Sequence, residues 1–268
     1  MLHSVYGETI WSRRNSLALY VIGLGLLVGI TVGVYPSVRQ DSEAFAQLLE
    51  SMPRGMLSFL GASDVSELLS PSGFINSRVN GSVGAVVLAI LAISMGTAAI
   101  AGEEDRRTMD LLLSTPISRR RVVLERFAAM VTLVGVTAAA VALVMIVANP
   151  MVDLELSVAN IVASNFELAL LALVFGSFAL AVGGLTGTRG LTIGIAAGVT
   201  VATFFINGLA QLVDWLEGPQ KLTPFYWLQR SDPLGTGLSI EDTLIMVVVI
   251  AAFLAIAVWG FERRDISV

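Results

Sequence analysis

Few residues in this chain belong to types that carry out chemistry. There is no cysteine and a single histidine, His3, so thiolate metal sites, disulfides and histidine-based catalysis have no material to work with. The single lysine, Lys221, sits in Gly-Pro-Gln-Lys, which is not the setting of a phosphate-binding loop. Two features remain. One is a polar stretch, Gly102 to Arg126, with Glu103, Glu104 and Asp105 at its start and six arginines: Arg106, Arg107, Arg119, Arg120, Arg121 and Arg126. The other is Glu167, the one acid well inside an apolar run. Paired glutamates serve in some intramembrane proteases, but these need histidines in their spans, and His3 lies outside them. A serine–histidine pairing in the membrane is excluded for the same reason. The expectation is a protein that is not itself an enzyme and holds no metal.

The elements that position these residues follow from composition. Hydrophobic residues make up 55% of the 268 and charged residues 14%, against about 25% charged in soluble domains; mean hydropathy is +0.81. Apolar runs of eighteen or more residues recur, each long enough to cross roughly 30 Å of hydrocarbon. A β-barrel would show alternating segments of about ten residues instead. The chain reads as an all-α polytopic membrane protein, a single transmembrane domain over 1–268.

Six spans are expected, at about 17–35, 82–101, 127–148, 159–182, 191–213 and 243–260. Leu2, Val5, Tyr6, Thr9, Ile10 and Arg13 share one helix face, so residues 2–14 read as an interfacial helix, or else as the start of the first span. Residues 36–80 and 214–242 form two long external segments. The second carries three prolines and the aromatic group Phe225, Tyr226 and Trp227 beside Trp215, residues that settle at membrane–water boundaries. Two four-residue glycine series, Gly25, Gly29, Gly33 and Gly190, Gly194, Gly198, allow close approach of another helix. That helix belongs either to a partner or to this chain.

Charge orients the molecule. With six spans, eleven of the sixteen Lys and Arg fall on the side of both termini and the 103–126 stretch, and twelve acids fall on the other side. The positive-inside rule places both termini and that stretch in the cytoplasm of a multi-pass plasma-membrane protein. The net charge of −5 has no bearing on partners, because charges are sorted by side; no nucleic-acid partner is implied.

Within the polar stretch, Thr115 is placed to cap a helix whose first residue is Pro116, the favoured position for proline. A break there separates two short helices. The first, about 104–113, has acids in its first turn, as the macrodipole favours. Its Met109, Leu112 and Leu113 face either inserts into a groove of a cytoplasmic partner or lies on the lipid interface with Arg119–Arg121 on lipid phosphates.

This stretch resembles the coupling segment of ABC-2 type transporter permeases, which commonly reads Glu-x-x-x-Gly-Thr-x-x-x-Leu-Leu-Ser-x-Pro-x-Ser-Arg. The matching residues here are Glu103 or Glu104, Thr108, Leu112, Leu113, Ser114, Pro116, Ser118 and Arg119. Arg107 replaces the family's glycine, and Arg126 stands where a lysine is common. The whole layout is similar, and the first external loop is similar to the antibiotic-exporter and NosY-like subgroup. The resemblance implies a type V exporter-like fold with an interfacial helix and a cytoplasmic coupling helix. It implies a separate ABC ATPase subunit that binds ATP and Mg and docks on Glu103, Glu104, Thr108, Met109, Leu112, Leu113, Pro116 and Arg119. It further implies a second permease copy or a paralogous permease, with a path near the first, second and fifth spans.

Glu167 is then either a polar or proton-sensitive contact in the substrate path, with Asn207, or a group hydrogen-bonded to a neighbouring helix with help from Asn165 or Asn207. Other readings of the chain are a secondary transporter, which calls for unwound midplane segments and an internal repeat, and a non-transporting membrane scaffold.

Overall fold

The computed structural model describes residues 4–51, 65–105, 117–210 and 212–264. Six helices among them are long and apolar enough to cross a membrane, as the hydropathy pattern requires.

The first span is Val5–Gln40, one unbroken helix whose first turn is capped by the Ser4 hydroxyl accepting from the Gly7 N–H at 3.1 Å. Among the described residues no separate interfacial helix precedes it: residues 5–14 are the start of the first span, the second of the two readings given for 2–14. No proline falls within residues 5–35, and Pro36, near the far end, removes one N–H from the ladder without ending the helix. Val5 and Thr9 are buried, with Tyr6 and Thr9 bonded to the third span. At 1.5 Å per residue the helix is about 54 Å long, well beyond the hydrocarbon thickness.

After Ser42–Glu50 and Val65–Leu69, the helix Pro71–Val79 leads into the second span, Val83–Ala99. A short turn, Ala101–Asp105, follows. The third span is Arg119–Ala148, capped by Ser118, whose hydroxyl accepts from the Arg121 N–H at 3.3 Å. Thr115 and Pro116, expected to open a short helix before this span, lie outside the described residues. The fourth, fifth and sixth spans are Val158–Thr186, Arg189–Leu209 and Ile240–Arg263.

The fourth span is the hub. Its most apolar window is 89% buried, against 22% for the first and fifth spans. Small residues let its neighbours approach. A Cβ on Gly96 of the second span would fall on the Gly176 carbonyl, and one on Gly176 would meet Met130 of the third span and Ala92. Lower on the same helix, Gly184 lies against the Ala257 backbone and Gly260 against Leu185. Backbone contact this close is how membrane helices gain packing energy where lipid tails are as apolar as leucine. Around these crossings, Leu88, Met130, Leu133, Leu171 and Phe175 are almost fully buried.

At the end away from the termini, the connection 214–242 folds back onto the bundle. Thr223 caps Pro224–Ser231, and Phe225 wedges between the fourth and fifth spans, 5.5 Å from Phe175 and 5.4 Å from Phe204 between ring centroids.

Candidate functional site

The end that carries both termini is tied together by charged side chains on either side of residues 106–116. On the near side, Glu103 accepts from Arg126 Nη2 of the third span at 3.0 Å. The same guanidinium donates through Nη1 to the Thr9 hydroxyl of the first span at 3.0 Å. Glu104 pairs with Arg264, just past the sixth span. Asp105 lies 4.0 Å from Arg189 at the start of the fifth span. On the far side, Arg119 Nη1 donates to the carbonyls of Phe261 and Arg264, at 3.0 and 2.6 Å. Glu125 accepts from the Tyr6 N–H at 3.1 Å and from Arg121 Nε at 2.7 Å.

These contacts make both roots of the segment part of the bundle. The Arg126 and Glu103 side chains are 10% and 20% exposed, so their pairing is far less screened than a surface ion pair. Arg119 offers positive charge to the last carbonyls of the sixth span, where the helix dipole is negative. Gly187 closes the clamp: it ends the fourth span at φ +63°, and a side chain there would fall on the Arg264 guanidinium and the Glu104 carboxylate. Of the residues expected to touch a partner, Glu103, Glu104 and Arg119 are thus engaged within the chain. Thr108, Met109, Leu112, Leu113 and Pro116 lie outside the described residues.

A family profile described as ABC-2 family transporter protein matches residues 12–266. The chain belongs to the ABC-2 transporter family. It is therefore a multi-pass membrane permease of the ABC transporter type. No curated protein matches it.

In this ABC-2 chain Glu167 is fully buried, and its oxygens are used from outside its own helix. Ser231 donates to Oε2 at 2.7 Å; the Ser239 N–H and the Thr243 hydroxyl donate to Oε1 at 3.1 and 3.4 Å. Asn165 and Asn207 take no part, which corrects the helpers expected for it. Asn165 bonds the Ile161 carbonyl one turn back, and Asn207 donates to Gln229 and accepts from Gln220. Both Glu167 and Asn207 thus fasten the 214–242 connection to the spans. Close by, Arg230 pairs with Asp242 at 2.6 Å and Glu241 at 3.2 Å; these bonds raise its already high pKa, so it stays charged.

The glycine series divide from the glycines that pack. A Cβ on Gly29, Gly33, Gly190, Gly194 or Gly198 would meet nothing within 4 Å, and one on Gly25 only Val144 at ordinary contact distance. Packing among the described residues does not account for them. The glycines that do pack, Gly96, Gly176, Gly184 and Gly260, escape a search for regular spacing, since crossing helices touch at one point each.

Proposed function

We propose that this permease is the membrane subunit of an ATP-driven exporter, with ATP binding and hydrolysis in a separate ATPase chain driving export of a hydrophobic or amphipathic substrate. ATP and Mg are held by that ATPase. Its docking site is the 103–126 stretch, with Thr108, Met109, Leu112, Leu113 and Pro116 as contacts and Glu103, Glu104 and Arg119 bracing the roots. The carrying observation is this bracing. A push on the segment reaches the first span through Thr9, the third through Arg126, the fifth through Arg189 and the sixth through Arg264. The excess of arginine at this end supports a cytoplasmic location for it and for both termini. The outward-facing glycine series of the first and fifth spans support pairing with a second copy or a paralogous permease.

The test is copurification in mild detergent with the genomic neighbours expressed. An ATPase subunit is expected to accompany the wild-type chain and to be released by Leu112→Asp with Leu113→Asp. A wild-type eluate without an ATPase overturns the reading.

A further inference from the structure

At the end of the bundle away from the termini, a cavity of about 170 Å³ lies between the close of the first helix and the helices Ser42–Glu50, Val65–Leu69 and Pro71–Val79. Its walls are apolar. Val38, Leu68 and Phe74 are buried. Phe45, Leu48 and Leu49 share one face of Ser42–Glu50, yet that helix buries none of its residues. A helix this short depends on covering its apolar face, and Leu48 is left 54% exposed. The charged member of the lining is Arg78, an exposed residue. Its guanidinium lies 3.8 Å from the centre of the Phe74 ring. Nη1 donates to the Phe74 carbonyl at 3.3 Å and to the Ser77 hydroxyl at 3.5 Å. Among the described residues Arg78 pairs with no carboxylate, whereas Arg121, Arg126, Arg189, Arg230 and Arg264 all do. Its Nε and Nη2 edge makes no hydrogen bond among them either.

We propose that this cavity binds a small hydrophobic carboxylic acid, its ring or short chain among the apolar walls and its carboxylate on Arg78. Charge selects an anion. The free edge of the guanidinium, two parallel N–H donors, matches the two oxygens of a carboxylate. Volume selects a small body. An apolar cavity of about 150 Å³ takes up a benzene ring, and drug-sized ligands need roughly 300 Å³ or more. The long tails of a phospholipid therefore exceed this space. The site lies at the opposite end from the 103–126 stretch and goes beyond the exporter reading. Its binding test needs no ATPase, so either can fail alone.

The probes are 4-fluorobenzoate and 4-fluorobenzamide, equal in ring and different in charge. Each is titrated against the full chain in lipid nanodiscs by fluorine NMR, with empty nanodiscs subtracted. The benzoate is expected to bind at roughly tenfold lower concentration than the amide. Arg78→Gln removes that preference, and Arg78→Lys, which keeps the charge but not the fork, retains part of it. Arg39→Gln, the same charge loss at the same end but outside the cavity, keeps it in full. Phe45→Ala changes no charge on a helix that buries nothing, and weakens both probes severalfold. Equal binding of the two probes to the wild type, or none above empty nanodiscs, overturns the proposal without any variant. A preference that survives Arg78→Gln, or is lost equally in Arg39→Gln, overturns the role of Arg78. Unchanged binding in Phe45→Ala removes the ligand from the cavity.

Discussion

The Arg264 guanidinium closes on the Glu104 carboxylate, joining the end of the sixth span to the turn that follows the second. The two residues are 160 positions apart in sequence. Gly187, at the end of the fourth span, is the only residue type that leaves them room, because its φ is positive and its Cβ position is already filled. Three spans therefore meet at one ion pair.

Gly187→Ala should destabilise the protein by about 1–3 kcal/mol from left-handed strain alone, with displacement of the ion pair adding to it. Gly190→Ala, three residues on and with open space around it, should be neutral or stabilising by up to about 1 kcal/mol. Thermal unfolding in detergent separates them. Equal melting temperatures would remove Gly187 from the clamp.

Gly96→Ala should cost about 1–3 kcal/mol, since the new methyl meets backbone that has nowhere to retreat. Gly29→Leu and Gly194→Leu should leave the melting temperature of the monomer nearly unchanged and lower the yield of cross-linked permease pairs. A drop in stability without loss of cross-linking would mean that these glycines serve the fold of one chain.

Much of this was legible in the sequence, because membrane insertion is read from hydropathy and turn chemistry. Six spans, the polar stretch and the family follow from apolar run lengths and from Leu112, Leu113, Ser114 and Pro116. The helix packing was not legible. Gly29 and Gly194 fall at regular spacing and face outward, while Gly96 and Gly176 show no repeat and carry the central contact. The partners of Glu167 were hidden for another reason. Ser231, Ser239 and Thr243 lie 64 to 76 residues away, and nothing local marks the connection as folding back. Sequence alone left the two readings of residues 2–14 undecided, because the polarity of Arg13, Arg14 and Asn15 marks the membrane boundary whether or not a helix ends there.

Glu167→Ala should loosen the 214–242 connection, because three donors lose their acceptor in a buried setting at about 1–3 kcal/mol. Glu167→Gln keeps an acceptor oxygen and should cost less. Limited proteolysis within 217–237 reads this directly, with faster cleavage for Ala than for Gln. Unchanged protection in Glu167→Ala would show that the carboxylate does not hold the connection.

Glu103 and Arg126 should be coupled. Either Glu103→Gln or Arg126→Gln removes one half of a largely buried ion pair, and the double variant should recover about 1 kcal/mol or more relative to the sum of the two. Additive melting shifts would make the pair incidental.

The central claim is that the clamp passes motion of the docked segment to the spans. The direct measurement is ATP turnover by the copurified permease–ATPase complex in lipid, with Glu104→Arg, Arg264→Glu and the two combined. The single variants should retain the ATPase subunit but lose most of the turnover that the wild-type permease supports, and the charge swap should restore a substantial part. Wild-type turnover in Glu104→Arg, with the ATPase still bound, would contradict the account.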